Sequence, residues 1–157
     1  MDVQYYNNFI DSIVTTFSSA LGSKPYRSGD FKKVTGHIRN PDALMGILTF
    51  SGSLLGAMLI TFEEETVCNI YNALMYEETS EVDEDVKDAI TEFLCMVGNG
   101  AKSIFADDQL HFDDPMVAYG SKIKFENEDN LVWLYVPMSV DKIGNFKVFI
   151  GLNGETV

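Results

Sequence analysis

Three side chains in the segment 82–105 recur at helical spacing and are the strongest candidates for chemistry in this chain. Asp88, Glu92 and Cys95 are four and three residues apart, so in an α-helix they project from adjacent turns on one side. A carboxylate beside a thiol suits the gripping of one small target. A nucleophilic role for Cys95 is disfavoured, because the two acids oppose the thiolate and a mid-helix cysteine gains nothing from a helix N-terminus.

The same side of this predicted helix continues as a longer polar surface, which we name the acidic stripe. Its members are Asp85, Asp88, Glu92, Cys95, Asn99 and Lys102. Thr91 and Met96 lie along its edges. The opposite side is apolar and consists of Val82, Val86, Ala89, Ile90, Phe93, Val97, Ala101 and Ile104. The stripe is therefore expected to face either plain solvent or a partner protein, and an exposed free cysteine favours the partner.

Other catalytic templates are absent from the sequence. It contains no phosphate-binding loop and no Cys-x-x-Cys, His-Glu-x-x-His or Gly-x-Ser-x-Gly motif. His37 and His111 are isolated, and we expect them on a strand surface or a helix end. Cys68 stands beside Val67 on an apolar face and is predicted to be a core residue. No cofactor of the protein's own is predicted.

The elements that position the acidic stripe follow from the period of the apolar residues. Helical spacing predicts helices over about Val3–Leu21, Glu63–Met75 and about Val82–Phe105. Alternation and short apolar runs predict strands over about 34–38, 43–50, 54–62, 116–125, 131–140 and 146–152. Gly46 and Gly56 inside two of these strands indicate close approach of another backbone, such as a helix lying on the sheet.

Length and composition predict one domain over residues 1–157, and the order of the predicted elements indicates an α+β fold with two similar halves that each combine a helix with three strands. Its 46% of apolar residues suffice for a packed core. The chain has only two cysteines, lacks a leader segment and lacks a run of roughly 18 apolar residues, which predicts a cytoplasmic protein. A net charge of −13, with 11 basic residues not gathered in one stripe, argues against nucleic acid and membrane partners.

The segment DAITEFLCMVGNGAKSIF, residues 88–105, resembles the signature helix of the CheC/CheX/FliY family of chemotaxis phosphatases, and of its CheX branch in particular. The family motif runs Asp or Ser, three residues, Glu, two residues, Asn, and later a Pro. Asp88, Glu92 and Pro115 match this motif, whereas the Asn position is Cys95. The likeness extends over nearly the whole chain, through MDVQYYNNFIDSI, VTGHIRNPDALMGILTFSGSLLGAMLITFEEETVCNIYNAL and IGNFKVFIGL.

This resemblance implies an antiparallel sheet packed by long helices and a single site per chain in a homodimer. The implied activity removes phosphate from the aspartyl phosphate of a CheY-like response regulator, which carries its own Mg²⁺. Glu92 would pair with a lysine of the regulator, and Asp88, Met96 and Asn99 would contact the regulator beside it. The family Asn aligns the attacking water, which is catalysis by positioning.

The departure at Cys95 leaves two hypotheses open. Sulfur is a weak donor and a weak acceptor, so it cannot orient water as a carboxamide does. Asn99 cannot substitute directly, because it lies about 6 Å along the helix axis from Cys95 and about 10 Å from Glu92. The protein is then either a phosphatase of weak or altered activity, or a module that binds the regulator without hydrolysing its phosphate. In a third hypothesis the acidic stripe only faces solvent, and the protein is a structural dimer.

Overall fold

The computed structural model describes residues 3–153 of the chain. Residues 1–2 and 154–157 of the predicted 1–157 domain lie outside the described residues. Within residues 3–153 there are three helices, namely α1 (Val3–Leu21), α2 (Glu64–Met75) and α3 (Glu84–Phe105). The strands are β1 (Tyr26–Arg27), β2 (Lys32–Val34), β3 (Ile38–Arg39), β4 (Leu44–Gly52), β5 (Gly56–Phe62), β6 (Leu110–Phe112), β7 (Met116–Tyr119), β8 (Lys124–Phe125), β9 (Leu131–Val140) and β10 (Gly144–Asn153).

Eight of these strands form one antiparallel sheet, which confirms the predicted α+β class. Two long hairpins, β4–β5 and β9–β10, lie side by side through pairing of β10 with β5. The short strands β1 and β2 pair with β9 at one edge, and β6 and β7 pair with β4 at the other. Strands β3 and β8 form a separate two-stranded sheet.

The central sheet is buried on both faces, so its strands read as apolar runs rather than as alternating patterns. On one face, side chains such as Leu48, Ile60 and Ile150 pack with the three helices in the main core. On the other face, Met45, Leu59, Trp133 and Phe149 belong to a second cluster with Ile38 and Leu131. All seven residues of β5 are buried.

The strand predicted over 34–38 is wrong in detail, because the chain makes two shorter strands there. Gly36 has a φ of +83°, which breaks the extended backbone between β2 and β3. The Gly36 carbonyl instead accepts a hydrogen bond of 3.1 Å from Trp133 Nε1. The strand predicted over 116–125 divides in the same way into β7 and β8, and Gly120 between them has a φ of +129°.

Two further strands, β1 and β6, were not predicted, because two or three residues are too few to show a period. Both strands lie on sheet edges and owe their extended form to pairing with β9 and β4. No helix within residues 3–153 is long and apolar enough to cross a membrane.

Candidate functional site

Helix α3 has a capping side chain at its start and a residue in the left-handed conformation at its end. The Asp83 carboxylate accepts a hydrogen bond of 3.0 Å from the Val86 backbone N–H, so α3 begins at Glu84 and not at the predicted Val82. Acidic residues in the first turn and Lys102 in the last turn agree with the helix dipole. Ala106 ends the helix in the left-handed conformation, at a φ of 50°.

One side of α3 is fixed against β4 by two glycines. A Cβ atom added to Gly46 of the strand would lie 2.6 Å from Leu94 Cδ1, so the glycine makes room for that leucine. Gly98 of the helix approaches Leu48 and Phe112, where an added Cβ would be 3.6 and 3.7 Å away. The close approach predicted at Gly46 is therefore made by a side chain of α3, and not by another backbone as predicted.

Another side of α3 packs on α1. Gly100 faces Thr16, and a Cβ at Gly100 would lie 3.3 Å from Thr16 Oγ1. Phe93 meets Phe17 edge to face, with ring centroids 4.8 Å apart. With the sheet on one side and α1 on another, α3 cannot rotate about its own axis, and only one strip of its surface is left uncovered.

That uncovered strip is the acidic stripe. All six of its members are exposed, and so is Met96 at its edge, at 44% of full exposure. Thr91 at the other edge is half-buried, and its hydroxyl donates to the Lys87 carbonyl at 2.9 Å. Cys95 thus lies outside the core, as the helical spacing predicts, and Cys68 lies inside it.

The predicted apolar face of α3 is buried along most of its length, with one error at its end. Ile104 is 38% exposed, because it lies in the last turn, beyond the reach of the sheet. The structure adds Leu94 and Gly98 to the buried side. Whether a residue at the border of the apolar face is buried depends on which other elements pack beside it. Helical periodicity alone does not reveal those neighbours.

The carboxylates of the acidic stripe are free to meet a partner. Within residues 3–153, the side chains of Asp88 and Glu92 make no ion pair and no hydrogen bond. The nearest basic side chain along the helix, Lys87, is already engaged: its Nζ lies 3.1 Å from a Glu84 oxygen and 5.7 Å from the centroid of the Tyr119 ring. A cation offered by another molecule therefore meets Glu92 without an internal competitor.

Lys87 belongs to a contact between α2, α3 and β7 that sequence reasoning missed. The Tyr119 hydroxyl donates to Glu64 Oε1 at 3.3 Å, and the Glu64 charge is the main cause that raises the pKa of Tyr119. These residues are far apart in the sequence and carry no shared motif, so only the fold brings them together. Pro115, the last position of the family motif, immediately precedes β7.

The remaining titratable candidates do not form a second site. His37 Nδ1 accepts a hydrogen bond of 2.8 Å from the Asn127 backbone N–H, and His111 is exposed on β6. Burial, followed by the charges of Glu64 and Asp83, raises the pKa of the Cys68 thiol. Across the part of the chain that the structure describes, no group of three or more His, Cys, Asp or Glu side chains is placed to hold a metal ion.

Proteins of known structure share this fold. A CheC-like superfamily protein of Shewanella sp. PV-4 superposes with a TM-score of 0.82 at 25% identity, over 98% of this chain and 100% of that one. The CheX of the CheX–CheY–BeF₃–Mg²⁺ complex from Borrelia burgdorferi superposes with a TM-score of 0.77 over 95% of this chain and 97% of that one. At 20% identity it shows a shared fold.

Sequence relationships identify the family within this fold. The family model of the chemotaxis phosphatase CheX matches residues 44–139. The CheY-P phosphatase CheX of Thermotoga maritima is 26% identical over 155 residues, which are 97% of either chain. The architecture is thus that of the CheC-like superfamily. The chain belongs to the CheX family of chemotaxis phosphatases.

Proposed function

We propose that this protein docks on a phosphorylated CheY-like response regulator through Glu92 and accelerates the loss of the regulator's aspartyl phosphate. The observation that carries the proposal is the exposed Glu92 carboxylate, which has no partner within residues 3–153 and occupies the Glu position of the family motif on α3. The Borrelia burgdorferi relative of the same fold forms a complex with CheY, BeF₃ and Mg²⁺, which supports the choice of partner.

Docking in this proposal combines one ion pair with neighbouring contacts. A lysine of the regulator approaches Glu92, and the acidic stripe attracts it electrostatically before contact. Asp88 adds charge one turn before Glu92, and Asn99 adds hydrogen-bonding capacity two turns after it. Met96, with its exposed and adaptable thioether side chain, supplies an apolar contact beside the ion pair.

The chemical step is in-line hydrolysis at phosphorus. A water oxygen bonds to phosphorus as the bond between phosphorus and the aspartyl oxygen breaks, which yields inorganic phosphate and the free carboxylate. The protein contributes by holding that water in line with the bond between phosphorus and the aspartyl oxygen. The Mg²⁺ of this reaction belongs to the regulator, and residues of this chain are not required to bind it.

Cys95 occupies the position from which the family Asn would hold the water. A thiol has weak donor and acceptor capacity, so we propose an activity well below that of a site with the carboxamide. Loss of one positioned polar group typically costs on the order of 10²–10³ in rate. The docking contact at Glu92 does not depend on this residue.

The exposed thiol at position 95 also favours a second candidate function. In that case the protein recognises the phosphorylated regulator, or competes for it, and leaves the phosphate in place. Both functions use the same docking surface, and they differ only in whether the phosphate is lost faster.

The experiment is to follow the decay of a phosphorylated CheY-like regulator from the same organism with and without this protein. Accelerated decay that is lost in Glu92→Ala supports the phosphatase. Binding without acceleration supports the second function. If the protein neither binds the regulator nor accelerates the decay, both functions are refuted. Glu128→Ala, which removes an exposed carboxylate outside α3, is the matched control.

We also propose that residues 1–157 act as one domain in the cytoplasm and form the homodimer that the family resemblance implies. The sheet edge at β9 carries only the short strands β1 and β2, which pair with residues 138–139 and 133–135 and leave the rest of β9 without a strand partner from residues 3–153 on that side. Pairing across two copies is one way to cover such an edge. Light scattering on the purified chain tests the dimer, and a monomeric mass at high concentration would refute it.

A further inference from the structure

A cavity of about 350 Å³ lies between α1 and the edge of the sheet where β9 meets β1 and β2. Its walls are largely apolar: Ile10 and Val14 come from α1, and Leu134, Val136 and Met138 come from β9. No member of the acidic stripe lines it. Its volume falls within the range of pockets that hold small molecules in proteins.

The cavity exists because the strand at this edge is interrupted. Pro137 of β9 has no N–H to donate, and the pairing of β1 and β2 with β9 stops on either side of it. Between the two short strands the backbone leaves the sheet, held by a hydrogen bond of 3.0 Å from the Ser28 N–H to the Pro137 carbonyl. This excursion carries Phe31, which lines the cavity and is 58% exposed.

Arg27 lines the cavity and carries a charge that the protein does not neutralise. Its guanidinium carbon lies 5.1 Å from the centroid of the Phe31 ring. Among the residues from 3 to 153, no carboxylate pairs with it, although the chain has 24 acidic residues. Four of the chain's 11 basic residues lie in the segment 24–33, namely Lys24, Arg27, Lys32 and Lys33.

Among the described residues, Arg27 is the one cationic side chain on the lining, whose other polar side chains are Asn7, Tyr6 and Tyr26. The Tyr6 hydroxyl, at the cavity wall, donates to the Val132 carbonyl at 3.0 Å and is therefore already satisfied. Ile10, Val14 and Leu134 are half-buried, so an occupant would cover apolar surface that the fold leaves partly open. The site thus combines an apolar chamber with one unpaired guanidinium on its lining.

We propose that this cavity binds a small amphiphilic carboxylate, with its apolar chain among Ile10, Val14 and Leu134 and its carboxylate on Arg27. The volume corresponds to about a dozen water-sized groups, which suits a fatty acid of medium chain length. A guanidinium pairs with a carboxylate through two parallel hydrogen bonds. The strongly negative protein as a whole repels an anionic membrane surface, so the ligand is a free molecule.

Calorimetric titration of the full chain with decanoate tests the proposal, with decanol and decylamine as neutral and cationic chains of the same length. We expect one decanoate molecule to bind per protein molecule. Decanol and decylamine should each bind with an affinity about tenfold or more below that of decanoate. Arg27→Gln should reduce decanoate affinity by a similar factor and leave decanol unchanged. Lys122→Gln, which removes an exposed charge away from the cavity, should change neither.

A second set of variants tests the chamber itself. Val14→Phe and Leu134→Phe each fill part of the cavity and should reduce binding of decanoate and decanol alike, in chains whose circular dichroism is unchanged. The proposal would be overturned if decanoate did not bind, or if decanoate, decanol and decylamine bound with equal affinity. It would also be overturned if decanoate binding survived both Arg27→Gln and the cavity-filling variants. Binding to anionic vesicles but not to free decanoate would assign the surface to a membrane instead. A dimer dispersed by Val14→Phe would assign it to a second copy.

Discussion

Leu94 of α3 lies over Gly46 of β4 so closely that a Cβ atom on Gly46 would stand 2.6 Å from Leu94 Cδ1. This contact sets the rotation of the helix. Successive residues of an α-helix are about 100° apart, so a Leu94 that faces the sheet turns Cys95 away from it and places Glu92 nearly opposite the sheet. The contact of Leu94 with Gly46, a glycine 46 positions before Glu92 in the chain, thus helps to hold Glu92 on the side of α3 that faces away from the sheet.

Gly46→Ala is expected to destabilise the protein by about 1–3 kcal/mol, because the new methyl group overpacks the contact with Leu94. Leu94→Ala alone should cost about 2–5 kcal/mol. The double variant should lose less than the sum of the two, since the smaller side chain admits the added methyl group. Urea denaturation of the four proteins measures this coupling.

Gly98→Ala is the matched control for that cycle. An added Cβ there meets Leu48 and Phe112 at ordinary contact distances, and Ala is favoured over Gly in a helix by up to about 1 kcal/mol. We expect stability to be unchanged or raised. Strict additivity between positions 46 and 94 would contradict the role assigned to their contact.

Glu92→Lys should abolish binding of the phosphorylated regulator, because it places a cation where the regulator's lysine is proposed to dock. The measurement is a titration of the regulator by surface plasmon resonance. Glu128→Lys makes the same change of charge at an exposed position outside α3 and should leave affinity nearly unchanged. Equal affinities for wild type and Glu92→Lys would refute docking at this residue.

Cys95→Asn should raise the rate of phosphate loss from the regulator, because a carboxamide offers a donor and an acceptor in one plane where the thiol offers little. The gain is expected to approach the order of 10²–10³. Cys95→Ser, which is polar but short, should gain much less. No gain in the Asn variant, with regulator affinity intact, would show that another feature limits the site.

Alkylation should distinguish the two cysteines of the native protein. Cys95 is exposed, whereas Cys68 is 4% exposed and burial raises the pKa of its thiol, so less of it is thiolate at neutral pH. Mass spectrometry after brief treatment with iodoacetamide should find one label, at Cys95. Saturating regulator should slow that labelling, and unaltered labelling in the complex would place Cys95 outside the interface.

Stability should fall as the pH rises above about 10, the usual pKa of tyrosine. Burial raises the pKa of Tyr6, so above that pH the unfolded chain releases this proton more readily than the folded chain. The contribution of Tyr6 to the free energy of unfolding is fully present below the pKa that Tyr6 has in the unfolded chain. It is lost as the pH rises through the pKa that Tyr6 has in the folded protein. Tyr6→Phe, compared by urea denaturation between pH 8 and about 11, should show a shallower alkaline decline.

Much of the fold is predictable because its elements are long and regular. Helices α1 and α3 present clear apolar periods, since each buries one face. The hairpins β4–β5 and β9–β10 present long apolar runs, since both of their faces are buried. The short strands β1 and β6 escape sequence reasoning because pairing, and not local preference, makes them extended. The breaks at Gly36 and Gly120 depend on positive φ values that a glycine permits but does not require.

The acidic stripe was determined by the sequence alone. Spacings of three and four residues place Asp88, Glu92 and Cys95 on one side of any α-helix, and the apolar residues opposite decide which side is buried. Only the tertiary structure decided the exposure of Ile104 and the Tyr119–Glu64 contact. It also decided the cavity between α1 and β9, which lies beside Arg27. These features depend on which distant segments meet, and no local period encodes that choice.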